Sequence, residues 1–136
     1  MRKPFHKQQV YVKEKSSREK GDELEQYVAR ILNMEFTRGS GNQLDDADLK
    51  DDRMLIECKV KNGAKGVSIP GTQLNKLTKQ AAKWRKEWAL ATMNSDGQVF
   101  FTVNADWFRE IYDAAKEQWK NDRSNNDRGK QTDTEG

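Results

Sequence analysis

The sequence predicts an α/β layer fold, a mixed sheet flanked by helices, and three observations carry that prediction. Apolar residues recur at helical spacing twice, in Leu24-Val28-Ile31-Leu32 and in Leu74-Leu77-Ala81-Trp84-Trp88. The stretch "ADLKDDRMLIECKVK" between them holds a short apolar run beside a turn, as a hairpin does. After the second stripe, "WALATMN" and "QVFFTV" flank "SDG", which reads as two more strands around a glycine turn. The resulting order is helix, three-strand meander, helix, two strands, helix.

The first helix is expected from about Ser17 to Asn33, with Glu23, Glu25, Gln26 and Arg30 on its other faces. A short strand through Phe36 and Thr37 follows, and "RGSGNQLDDAD" reads as a loop because glycines and turn formers cluster there. Leu49 opens a hairpin turning near Asp51-Asp52, Met54 to Lys61 is its return strand, and Gly66 to Pro70 is expected as a third short strand. Alternation puts Leu55, Glu57 and Lys59 on one face of the return strand and Ile56, Cys58 and Val60 on the other, so that one face is read as core and the other as chemistry. The second helix is expected from about Thr72 to Glu87 with both Trp84 and Trp88 in the core. Asn104 can cap a last helix with Trp107, Phe108, Ile111, Ala115 and Trp119 on its buried side. From Lys120 onward no apolar residue remains, which predicts a disordered tail.

At 136 residues the chain fits one domain, expected over residues 17–119, between a basic arm at 1–16 and a tail at 120–136. The formal net charge is only +3, and the first twenty residues hold seven Lys or Arg against two Glu. The arm, with Lys3, Lys7 and Lys13, can follow a phosphate backbone, and the rest is read as close to neutral. Cys58 is the only cysteine, which excludes an intrachain disulfide and a cysteine-based zinc cluster. His6 is the only histidine and sits in the arm, so a histidine-centred triad is excluded and catalysis falls to carboxylates and lysine. No apolar run approaches the roughly 20 residues of a membrane span and no secretory signal is visible, so the expected compartment is cytoplasmic.

Asp48 and Glu57 stand where a hairpin turning near residues 51–52 brings them roughly opposite each other. Two carboxylates, with the backbone carbonyl of Cys58 as a third oxygen, suit Mg²⁺, with Mn²⁺ as a substitute. Lys59 is on the same face as Glu57 and about 7 Å further along, within reach of a bound water or an attacked phosphate. Asp46 shares the strand face of Asp48 under strict alternation, so periodicity leaves two candidates; the spacing to Glu57 favours Asp48. An acid two residues before a lysine is commonly a solvated strand face with a weak ion pair, and only the wider set of residues lifts "ECK" above that reading.

That set resembles the PD-(D/E)XK nucleases, and among them the archaeal Holliday-junction resolvases and their bacteriophage-encoded relatives, over about Lys20 to Phe101. "KGDELEQ" is similar to the first-helix signature with a Glu four residues after a Gly, here Glu25. "RGSG" is similar to the resolvases' Arg-x-x-Ser-Gly loop with one residue fewer, and "ADLKDDRMLIECK" to the core hairpin, with Ala47 where the family often has Pro. "VSIPGTQLNKL" is similar to the segment that follows the core. The resemblance implies a restriction-endonuclease-like αβββαβ core with an additional C-terminal helix. It implies Glu25, Asp48, Glu57 and Lys59 as catalytic residues, with Glu25 at a possible second metal. It further implies Arg38, Ser40, Gly41, Ser68 and Gln73 as DNA contacts, and a homodimer that cuts branched DNA. A nicking, repair or single-strand-specific nuclease would use the same residues. A non-catalytic DNA-binding module would be expected to have lost Asp48, Glu57 or Lys59, and all three are present.

Overall fold

A computed structural model describes residues 15–37, 47–61 and 66–135. Helix α1 spans Ser17–Leu32. It starts where the Ser16 side chain accepts the Glu19 N–H at 3.2 Å, and it stops at Asn33, which turns left-handed at φ 53° and donates its N–H to the Ala29 carbonyl. Five strands follow, β1 (Glu35–Phe36), β2 (Leu49–Lys50), β3 (Met54–Val60), β4 (Glu87–Met93) and β5 (Val99–Val103), lying in that order across one sheet. β1, β2 and β3 pair antiparallel, whereas β3 and β4 pair parallel, so the sheet is mixed. A parallel neighbour needs a crossover, and helix α2 (Gly71–Trp84) supplies it. Residues 66–70, expected as a strand, are not one; they form the irregular entry to α2 that ends in Pro70, which has no N–H for a ladder.

α2 ends three residues earlier than its apolar spacing predicts. Arg85 takes the left-handed conformation at φ 55°, and Lys86 donates its N–H to the Ala81 carbonyl, which closes the helix. Trp88 therefore belongs to β4 and is buried there, while Trp84 is 49% exposed at the end of α2. The strand run "WALAT" overrode a helical period that continued through it by coincidence.

The core has two sides. Leu55, Leu77, Ala81, Trp88 and Leu90 form one buried cluster with Ala47, against which Ile69 and Leu74 pack. Alternation turns Ile56, Ala89 and Ala91 to the other side of the sheet, where α1 approaches β3 and β4 with Leu24 and Val28 fully buried. β3 is thus core on both faces at Leu55 and Ile56, and the expected split into a core face and a chemical face is wrong. The transition runs along the strand instead, because a parallel pair is covered on both sides. Replacing Leu55 or Leu90 by Ala would cost about 2–5 kcal/mol.

The chain divides between Thr102 and Val103 into two compact units. The second is dominated by helix α3 (Ala105–Glu135). It starts at Asn104, whose side chain accepts the Asp106 N–H at 2.9 Å. Phe108, Ile111 and Trp119, expected on a buried side, are exposed, and Trp107 and Ala115 are half-buried. The Tyr112 ring lies tilted to Phe108 and edge-on to Trp119, with ring centroids 6.1 and 6.3 Å apart. α3 continues past Lys120 to Glu135, through the polar stretch for which composition predicts disorder. Along its middle, Asp113–Lys116 and Glu117–Lys120 pair one turn apart and the Gln118 amide donates to Asp122 at 3.2 Å. Among the described residues no helix is long and apolar enough to cross a membrane.

Candidate active site

The hairpin turn sets the site's geometry. Asp51 accepts the Arg53 and Met54 N–H groups on one side-chain oxygen, both at 2.8 Å, and its own N–H donates to the Met54 carbonyl. That turn fixes the register at Lys50↔Leu55 and Leu49↔Ile56, so the next pair outward is Asp48 with Glu57. There the chain leaves the ladder, and the Asp48 carboxylate takes over by accepting the Cys58 N–H at 2.8 Å. The Asp48 carbonyl in turn accepts the Thr37 N–H at 3.0 Å. Asp48 is therefore held at its backbone and at its side chain. Glu57, one residue past the buried Leu55–Ile56 step, keeps a side chain 20% exposed, and the Lys59 Nζ stands 3.5 Å from its Oε1.

Glu25 joins from α1. It follows the fully buried Leu24, at the margin of the helix's buried face, and its carboxyl feels that of Asp48. Partial burial, then the Asp48 carboxylate, then Asp22 and Glu57 push its carboxyl up to about 7. Burial and the Asp48 charge also raise Glu57, while Lys59 and Lys76 pull it back. Burial raises the Cys58 thiol, and Asp48, Glu25 and Glu57 raise it further. The Cys58 thiol thus stays protonated and is no nucleophile. Three carboxyl groups from α1, the approach to β2, and β3 crowd one place and repel each other's charge.

Other expected residues are more scattered. Gln73 is half-buried in the first turn of α2, and Ser68 is exposed in the segment before it. Arg38, Ser40 and Gly41, the arm lysines Lys3, Lys7 and Lys13, and the rival Asp46 lie outside the described residues. Two residues escaped the sequence reading. Lys76 is felt at the Glu57 carboxyl, and its signal was its place one turn after Gln73. Thr37, buried and bonded to Asp48 through its backbone, was read only as the end of a strand.

Among the described residues no group of three or more His, Cys, Asp or Glu side chains stands ready-made as a metal cage. Mg²⁺ asks for less, typically one or two carboxylates with water completing an octahedron. Asp48 and Glu57 are hard oxygen donors of that kind; burial first and then the charge of neighbouring acids raise the Glu25 and Glu57 carboxyls, and a cation among them would offset the repulsion. Comparison with family models, with characterised proteins and with solved structures gives no match to this chain. The site is therefore read from its own chemistry.

Proposed function

We propose that the protein is a metal-dependent endonuclease that hydrolyses DNA phosphodiesters, selective for branched DNA in the manner of the Holliday-junction resolvases it resembles. The observation that carries this reading is the placement of Asp48 opposite Glu57, one step beyond the ladder of the hairpin, with Glu25 and Lys59 beside them. Asp48 and Glu57, with the Cys58 carbonyl, would hold Mg²⁺ or Mn²⁺, and Glu25 would hold or organise a second ion. Bound there, a divalent ion supplies an acidified water and neutralises phosphate charge. Lys59, more than half exposed and 3.5 Å from the Glu57 carboxylate, would orient the attacking water or the phosphate through its ammonium. The Cys58 N–H bond holds the Asp48 carboxylate against β3 in the absence of substrate.

Resolution of a junction takes two coordinated cuts, which favours a symmetric dimer. The deciding experiment incubates the protein with linear duplex, single-stranded, nicked, flap and four-way-junction DNA, with Mg²⁺, with Mn²⁺ and with chelator. Metal-dependent cutting that is fastest on the junction is the expected result. No cutting of any of these DNAs with either metal would sink the nuclease reading.

A further inference from the structure

From Cys58 to Lys86 the chain contains no Asp or Glu and eight Lys or Arg. With the whole chain at +3, this stretch at +8 and the first twenty residues at +5, the rest sums to −10, so the excess positive charge lies in the amino-terminal arm and in the β3–α2–β4 crossover. α2 itself carries Lys76, Lys79 and Lys83 and no acid, while α1 and α3 both mix the two signs. These three lysines recur at steps of three and four, so they form one row along the helix, and all three are exposed. The opposite face is the buried one, with Leu77 and Ala81 in the core cluster.

The row starts at the candidate site. Leu77 is buried with Leu55 and Leu90, and Leu90 is the ladder partner of Glu57, so Lys76 flanks the strand end that carries Glu57 and Lys59. The influence of Lys76 on the Glu57 carboxyl agrees with that position. From Lys76 to Lys83 the helix rises about 10 Å, at roughly 1.5 Å per residue. That length covers several consecutive phosphates of one DNA strand at about 3.4 Å of axis each. Lysines are point charges on long flexible stems, suited to following a backbone and not to reading bases.

We infer that the exposed face of α2, through Lys76, Lys79 and Lys83, is the track that carries the DNA backbone away from the candidate active site. The inference deepens the nuclease reading and rests on it for the choice of DNA over another polyanion. The track needs neither the amino-terminal arm nor a base-specific contact, and it orients one duplex arm relative to the cut.

The test compares the wild type with K76Q/K79Q/K83Q and, as a charge-matched control, K116Q/K120Q/R123Q on α3. Binding to a synthetic four-way junction and to linear duplex is measured across a salt series in chelator. Helicity and melting are checked in parallel, since Gln preserves helix propensity. The expected result is a salt slope smaller by about 2.7 in the α2 triple variant, at roughly 0.9 for each phosphate no longer neutralised, and unchanged in the control. An unchanged slope in the α2 variant, or an equal decrease in both variants, overturns the track. So does wild-type binding to phosphatidylglycerol vesicles that is as tight as to DNA and equally sensitive to the α2 substitutions. A wild type that binds DNA with this α2 dependence but cuts none with Mg²⁺ or Mn²⁺ supports the track and removes the nuclease reading alone. A wild type that cuts, with an α2 variant of unchanged slope, removes the track alone.

Discussion

The backbone N–H of Cys58 donates to the Asp48 carboxylate at 2.8 Å, so the acid that opens the hairpin is clamped to the strand that carries Glu57. The bond gives Asp48 a structural role beside the chemical one proposed for it. Asp48→Asn retains an oxygen acceptor and should fold normally yet lose cleavage, whereas Asp48→Ala should also lose about 1–3 kcal/mol by leaving a partly buried N–H unpaired. Denaturant melts and single-turnover rates on a junction check both. Asp46→Asn should reduce the rate only modestly; an inactive Asp46→Asn beside an active Asp48→Asn would shift the assignment to Asp46.

Glu57→Gln should abolish cleavage while leaving DNA binding intact, because it removes a metal-binding charge and keeps the side chain's shape. Lys59→Ala should lower the rate by at least about a hundredfold, the lower range for a positioned proton-transfer group. It should leave metal affinity nearly unchanged, since Lys59 is no ligand. Titration calorimetry with Mn²⁺ beside the rate measurement separates the two roles, and a parallel fall in affinity and rate for Lys59→Ala would refute the division.

Glu25 gives a pH dependence of definite sign. Its carboxyl has an ordinary value of 4.5 and is pushed up to about 7 in the folded protein, so between those values the folded form holds the extra proton. The stability tied to this proton is fully present below pH 4.5 and is lost as pH rises through about 7. In chelator, the melting temperature should therefore fall between about pH 5 and pH 8, and Glu25→Gln should flatten that fall and melt higher at about pH 8. An identical pH profile for the variant would show that Glu25 is not held among the other carboxyls.

Asp51→Ala should destabilise the protein by about 1 kcal/mol, because the side chain satisfies two turn N–H groups at an exposed position. Its effect on cleavage should exceed its effect on stability, since the turn sets the register that brings Asp48 opposite Glu57. A rate that tracks stability alone would mean that the register survives without the Asp51 bonds.

Strand and helix identity was legible wherever a period was long and clean, as in Leu24 and Val28 of α1 or Leu74, Leu77 and Ala81 of α2. The place of Asp48 opposite Glu57 followed from the turn residues, because hairpin register is a local property. What failed was non-local. Trp88 fits a helical stripe as well as a strand, and only pairing with Leu55 decides for β4. Gly66 to Pro70 reads as a strand through Val67 and Ile69, yet the segment runs directly into α2 and its Pro70 has no N–H for a ladder. The closeness of Glu25 to Asp48 depends on how α1 docks on the sheet, which no spacing encodes, and the family resemblance alone suggested it. The acid-free run from Cys58 to Lys86 was visible in the sequence but hidden by counting charge at the terminus and in sum.

The mixed sheet also sets an order of assembly. Asp48 and Glu57 are nine positions apart and meet across a turn, whereas Glu57 meets its β4 partner Leu90 across thirty-three positions and a whole helix. Local closure is fast and long-range parallel pairing slow, so the hairpin should mature before β4 is in place. Substitutions at Leu49 or Ile56 should then slow folding, and substitutions at Ala89 or Leu90 should chiefly speed unfolding, a division that stopped-flow refolding can read. The acids proposed to bind metal would meet early, in a partly solvated hairpin where their repulsion is weak, and the burial that makes their proximity costly would arrive last.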